Sequence, residues 1–207
     1  MEIIFVRHGL PQRVSGEAGS SVDAELSADG WRQAGLLADY LSDRPITVVY
    51  SSPLRRARET ASPLATRLAI DVTVLDCLAE YDRGTSEYIP VEELKAEGHP
   101  MWGDIVAGRV QVSLGVDPRA FRDDVVDGIE SMIAAHQGTT IVAVCHGGVI
   151  NAYISHILGI DDPAGFFYAD YTSVHRVRAA QSGQRTLLSL NDTTHLWRTG
   201  LSSAMLG

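Results

Sequence analysis

Ile3-Ile4-Phe5-Val6-Arg7-His8-Gly9 and Thr140-Ile141-Val142-Ala143-Val144-Cys145-His146-Gly147-Gly148 are the stretches that decide the fold. Each holds an apolar run, rich in β-branched residues, that gives way to Arg7-His8-Gly9 in the first and to His146-Gly147-Gly148 in the second. Alternation would mark a strand with one wet face. A continuous run fits a strand covered on both faces, as in a parallel sheet. Residues 47–50 and 72–78 show the same character, so four such strands are expected.

Helical patterns lie between and after them. Ser27 is placed to cap a helix with Asp29 in its first turn, and Trp31, Ala34, Leu37, Ala38 and Leu41 follow at helical spacing. Pro53 stands near the start of a second helix through Ala57, Ala61, Leu64 and Leu68, which Pro63 is expected to kink or shorten. A third, over 118–137, begins at Pro118 and puts Val125, Ile129, Met132 and Ile133 on one face. A fourth, over 147–158, is closed by Gly159. Residues 174–177 and 186–190 read as two further strands, and 82–117 as an irregular insertion over one end of the sheet. Strands alternating with helices predict an α/β layered fold.

The chain has 207 residues, a size suited to one domain over 1–207 carrying that insertion. Apolar residues at 45% and charged ones at 21% are those of a globular protein. Seventeen basic against 26 acidic side chains leave a net charge of −9, which argues against nucleic acid or an anionic membrane as partner. Net charge does not describe a local site, so a small anionic substrate is compatible with it. Cys77 and Cys145 lie in apolar runs and are expected as buried, reduced thiols. No run approaches the ~20 apolar residues of a membrane span, and the acidic start has no basic leader, so a cytoplasmic location is expected. The oligomeric state is left open, a homodimer included.

The chemistry-bearing residues share one position relative to the strands. Arg7-His8-Gly9 ends the first, Ser51-Ser52 ends the second just before Arg55-Arg56, Glu80 follows the third, and His146-Gly147-Gly148 ends the fourth. In open parallel sheets ligands bind beyond the carboxyl ends of the strands, so these residues are expected to meet. Such a set suits a phosphoryl group. Guanidinium forks bind its oxygens, and a neutral imidazole can attack phosphorus. A second imidazolium is expected to stabilise the equatorial oxygens as charge shifts, and a carboxylic acid to protonate the leaving oxygen. Gly147 and Gly148 are expected to aim backbone N–H groups at the anion.

With these motifs in order, the chain resembles the histidine phosphatase superfamily, whose fold is phosphoglycerate-mutase-like. Leu26-Ser27-Ala28-Asp29-Gly30 with Gln33-Ala34, Ser51-Ser52-Pro53-Leu54-Arg55-Arg56-Ala57 with Thr60-Ala61, and Leu78-Ala79-Glu80 with Gly84 carry the resemblance beside the two histidine motifs. Leu190-Asn191-Asp192-Thr193-Thr194-His195-Leu196 adds to it. The resemblance implies a three-layer α/β/α sandwich with a mostly parallel central sheet. It implies a metal-independent phosphomonoesterase that takes a small phosphorylated metabolite, with no cofactor. His8 would be the nucleophile, Arg7 and Arg56 the phosphate clamp, His146 the second histidine and Glu80 the general acid. Arg56 is favoured over Arg55 because it directly precedes Ala57, and about 100° of helix rotation separates the two.

Leu10, Pro11 and Val14 stand where the family usually has polar phosphate contacts, which Gln12, Arg13 or backbone groups would have to replace. Residues 82–117 carry only Arg83, Lys95 and Arg109 as basic residues, without the basic cluster of true mutases. Hydrolysis is therefore favoured, with phosphoglycerate mutase the alternative and a non-catalytic phospho-ligand module a further one. A metal site is disfavoured because no His-x-x-x-His pair occurs and Arg7 and Arg56 repel a cation.

Blander readings compete. Asp76, Asp82 and Glu87 lie near enough to be the acid in place of Glu80. Cys145 reads as a small core residue, and His175 and His195 as structural. His99, His136 and His156 are expected at or near the surface, with a core contact the natural reading for His156. Tyr81, Tyr88, Trp102 and Phe121 either pack the insertion or line a pocket for an apolar leaving group.

Overall fold

The computed structural model describes residues 1–17, 19–161 and 166–201. In chain order the elements are β1 (Glu2–Arg7), β2 (Val14–Ser15), α1 (Ala28–Leu41), β3 (Ile46–Ser51), α2 (Arg55–Leu68) and β4 (Val72–Val74). There follow β5 (Glu87–Tyr88), α3 (Val91–Glu97), α4 (Pro100–Val106), α5 (Val110–Ser113) and α6 (Pro118–Ala135). The chain continues through β6 (Thr140–Cys145), α7 (Gly147–Leu158), β7 (Val174–Ala179) and β8 (Arg185–Asp192).

Six strands form the central sheet in the order β4-β3-β6-β1-β7-β8. β4, β3, β6 and β1 run parallel, whereas β7 is antiparallel to both β1 and β8. The two-residue period of a strand sends the apolar runs to opposite faces. Ile3, Phe5, Ile141 and Ala143 pack with Ile129, Ile133, Val149 and Tyr153 of α6 and α7. Ile4, Val6, Val142 and Val144 pack with Leu37, Leu41, Ala57 and Leu64 of α1 and α2. That is the three-layer α/β/α arrangement, and both sheet faces are dry.

Several local expectations are corrected. The third strand stops at Val74 because β4 is an edge strand paired only with β3. The chain then makes a 3-10 turn, Asp76–Leu78, that buries Leu78 under α6 and leaves Cys77 half-buried. Pro63 neither ends nor shortens α2, which runs unbroken from Arg55 to Leu68. Burial of Ala57, Ala61 and Leu64 against the sheet outweighs the one backbone hydrogen bond that proline forfeits. Trp31 lies off the buried face of α1 and is 44% exposed. His156 is exposed, not in the core. The stretch 82–117 is far from irregular: it holds β5, which pairs with β2, and the three short helices α3 to α5. At four to seven residues each they are too short to show a helical period.

Candidate active site

Because β4, β3, β6 and β1 are parallel neighbours, their carboxyl ends lie side by side along one edge. The ladder continues just past the strands: His8 N donates to Cys145 O at 3.0 Å and Ser52 N to Val144 O at 2.9 Å. His8 is thereby set between the ends of β6 and β7. The loop behind it is pinned from both helices on that face. Gly9 N donates to Thr60 Oγ1 at 2.9 Å, and Leu10 N to Gln33 Oε1 at 2.8 Å. The Ser27 hydroxyl caps α1 at Gly30 N and donates to Leu10 O. Glycine is required here: a Cβ on Gly30 would stand 2.2 Å from Leu10 O.

His8 Nδ1 lies 2.8 Å from the carbonyl oxygen of Gly9. A carbonyl only accepts, so Nδ1 carries the proton and Nε2 holds the lone pair. Arg56 Nε donates to that Nε2 at 3.3 Å. Burial, and then the charges of Arg56 and Arg7, hold His8 well below the usual imidazole range, so it stays neutral. The ring of His146 is 5.0 Å from that of His8. His146 Nε2 meets Ser52 Oγ at 2.7 Å, while its buried Nδ1 has no partner. Burial, and then the charge of Arg56, hold His146 well below the usual imidazole range, so it is a neutral imidazole and not the imidazolium expected.

Two guanidiniums flank His8. Arg56 donates from Nη2 to both carboxylate oxygens of Asp82, at 2.8 and 2.9 Å, and lies 4.7 Å over the ring of Tyr88. Arg7 lies 4.8 Å from the ring of Tyr168 and 4.1 Å from that of Tyr171, and it donates to Ala169 O. Arg7 Nε is buried without a partner. Such aromatic contacts hold a cation in place without neutralising it.

Glu80 accepts from Gly148 N at 2.8 Å and from Tyr81 N at 3.2 Å. Burial first, and then the charge of Asp82, push its carboxyl up to about 7 against those hydrogen bonds and the pull of Arg56. Gly148 makes this approach feasible, since a Cβ there would fall 2.2 Å from Glu80 Oε1.

The structure thus gathers Arg7, His8, Arg56 and Glu80 around one cavity of about 950 Å³, with the fully buried His146 behind His8. Arg55 turns outward to Glu59 and Glu25. Of the competing carboxylates, Asp76 is exposed and paired with Arg83, Glu87 bonds Ser15, and Asp82 is held by Arg56. Gly148 N serves Glu80, so the expectation that it faces an anion is not met. Gln12 and Arg13 do not replace the missing phosphate contacts. Gln12 reaches back to Leu26 O, and Arg13 bonds Glu97 at the surface. Pro11 and Val14 are used in backbone pairing with Leu26 and Tyr88.

Nothing in the local sequence marks Tyr168 and Tyr171 as site residues. Their one signal is position: they immediately precede β7, whose antiparallel course starts at the site edge, and that course is not legible locally. Thr60 and Gln33 appeared as motif letters and prove to be loop anchors. Tyr81, Tyr88 and Trp102 line the cavity, and Phe121 packs edge-on against Tyr81 at 5.8 Å. His175 is buried between Ser173 Oγ and Asn191 N, and burial pushes it down to about 3. His195 meets Thr172 Oγ1 and stacks on Tyr40. The Cys145 side chain faces the opposite, apolar layer, where burial pushes its thiol up. Among the described residues no cluster of three or more His, Cys, Asp or Glu is placed to hold a metal ion. Among them, too, no helix is long and apolar enough to cross a membrane.

The chain is similar to known proteins along nearly its whole length. The chain is 28% identical over 200 residues to phosphoserine phosphatase 1 of Hydrogenobacter thermophilus, covering 95% of this chain and 94% of that protein. It is 30% identical over 210 residues to a bifunctional protein of Mycobacterium tuberculosis, with 94% of this chain covered and about half, 54%, of the relative. A histidine-to-alanine variant of phosphoserine phosphatase from Entamoeba histolytica, solved in complex with phosphoserine, matches at a TM-score of 0.72 and 25% identity. That match covers 94% of this chain and 98% of the other. The family pattern of the histidine phosphatase superfamily (branch 1) spans residues 3–193, and the chain belongs to that superfamily.

Proposed function

We propose that the protein is a phosphomonoesterase that works through a phosphohistidine on His8. The observation that supports this best is the His8 Nε2 lone pair, held by its Nδ1–H bond to Gly9 and flanked by two buried guanidiniums. The phosphate of the ester takes the place of the Asp82 carboxylate on Arg56 and meets the unpartnered Nε of Arg7. His8 Nε2 attacks phosphorus, the bond to the leaving oxygen breaks, and Glu80 gives that oxygen its proton. A hydroxyl proton from Ser52 on His146 Nε2 leaves Nδ1–H as a donor to the shifting charge. Water then attacks phosphorus, returns a proton to Glu80 and releases inorganic phosphate and free His8. Two guanidiniums supply the positive charge, so the reaction is read as metal- and cofactor-independent, on a small phosphorylated substrate.

Residues 1–207 are taken as one catalytic unit with 82–117 as its cover; residues 202–207 lie outside the described ones. Hydrolysis is favoured over the mutase reaction because, among the described residues, Arg7 and Arg56 are the only arginine or lysine side chains lining the cavity. Arg83 and Arg109 pair instead with Asp76 and Asp104. The test is trapping of the phosphoenzyme, which is expected to be acid-labile, base-stable and absent in His8→Ala, with activity retained in EDTA. Isomerisation of 3-phosphoglycerate would establish the mutase instead. Tight binding of a phosphoester without turnover would establish a binding module.

A further inference from the structure

The cavity is much larger than the phosphate site, and its outer part has a different chemistry. Beyond Arg7 and Arg56 its wall includes Met101, Trp102, Ile105, Val106, Leu114 and Phe166, with Thr85, Ser86, Gln111 and Asn151 as neutral polar groups and Tyr88 and Tyr168 beside the arginines. No further cationic side chain lines it among the described residues, while Glu80, Asp82 and Glu87 do. Once the phosphate occupies both arginines, a carboxylate on the leaving group would face Asp82 and Glu87 and find no further cationic side chain on the cavity wall among the described residues. A short polar leaving group would also leave most of the ~950 Å³ against apolar walls. Cavities of that size bury a ligand of drug-like dimensions.

We propose that the leaving group of the substrate is a bulky apolar alcohol, seated against Trp102, Val106, Leu114 and Phe166, and not a short carboxylate-bearing one. This rests on the phosphomonoesterase reading and names the substrate class for it. It also sets this chain apart from the phosphoserine phosphatases it resembles. The step itself is unchanged: the apolar alcohol departs with the proton from Glu80, and phosphate stays on His8 until water releases it. Trp102 and Val106 are specificity-determining residues that touch the leaving group, not the phosphorus.

The experiment is a series of primary-alkyl phosphates of similar leaving-group acidity: ethyl, hexyl and 2-phenylethyl phosphate, with O-phosphoserine and 3-phosphoglycerate. Hexyl and 2-phenylethyl phosphate are expected to exceed ethyl phosphate in kcat/KM by about tenfold or more, the low end of what an apolar pocket gains from added methylenes. Phosphoserine and 3-phosphoglycerate are expected at or below ethyl phosphate. Trp102→Ala is expected to lower the hexyl-to-ethyl ratio at least threefold. Val106→Asp, at a position 68% exposed and so not needed for folding, is expected to do the same. A flat series, or phosphoserine turned over faster than hexyl phosphate, overturns this inference and leaves the phosphatase reading standing. No turnover of any ester overturns that reading, and this inference with it.

Discussion

At the carboxyl edge of the sheet, Arg7, His8, Arg56 and His146 are each less than a tenth exposed, and each is held by a backbone carbonyl, a hydroxyl, a carboxylate or a tyrosine face. In the cover that faces them, Val106 and Val112 are 68% and 62% exposed, and α4 buries none of its residues. The edge is polar and enclosed; the cover is apolar and open. Side chains locked by dry packing and hydrogen bonds keep the geometry that phosphoryl transfer needs. Short helices with little buried surface have few contacts to hold them to one arrangement. On the proposed function, the contrast assigns reactivity to the sheet edge and leaving-group selection to the cover.

Four experiments break or sharpen that contrast. The largest effect is expected for His8→Ala, a loss of turnover on the order of 10⁴-fold or more with no phosphoenzyme formed, as for removal of other nucleophiles. Appreciable residual turnover in single-turnover assays would move the chemistry away from the edge. Next, Glu80→Gln is expected to lower kcat/KM by roughly 10²–10⁴-fold. As the proposed general acid Glu80 would act only while protonated, and its carboxyl sits at about 7, so wild-type kcat/KM is expected to fall as pH rises through about 7. Since His8 is held well below the usual imidazole range, it stays neutral on both sides of that limb. A pH profile of Glu80→Gln that keeps the same alkaline limb would assign it to another group.

Gly148→Ala is the third. The added Cβ would lie 2.2 Å from Glu80 Oε1 and 2.5 Å from the Tyr81 ring, so it is expected to displace the acid and cost about tenfold in kcat/KM. An unchanged rate would show that Glu80 does not need its bond to Gly148 N. The smallest effect is expected for Val106→Ser in the cover, within about 0.5 kcal/mol of wild-type stability in denaturant unfolding. Ile129→Ala, in the layer beneath the sheet, is expected to cost about 2–5 kcal/mol by the same measurement. Equal losses in the two would erase the distinction between core and cover.

Much of this was legible beforehand because it rests on local pattern. The continuous apolar runs marked β1, β3 and β6 as strands with two dry faces. The cap at Ser27 and the spacing of Ala57, Ala61 and Leu64 marked α1 and α2. Of the five residues expected to converge, Arg7, His8, Arg56 and Glu80 line one cavity and His146 lies buried behind His8. What escaped is of two kinds. α3 to α5 are too short for periodicity to register, and Pro63 shows a local rule overridden by packing on a sheet. Tyr168, Tyr171 and the Arg56–Asp82 pair depend on which strands are neighbours and on which way β7 runs.

The sequence by itself determined the long strands and helices, and that Arg7, His8, Glu80 and His146 come at or after strand-forming runs. Those are properties of neighbouring residues, carried by β-branching, hydrophobic period and helix capping. Only the tertiary structure decided the order β4-β3-β6-β1-β7-β8 and the reversed course of β7. It also decided the tyrosine faces on Arg7, the burial that lifts Glu80 to about 7, and the apolar wall opposite His8. Each of these arises from contacts between residues far apart in the chain, whose energies exist only once the layers have closed on one another.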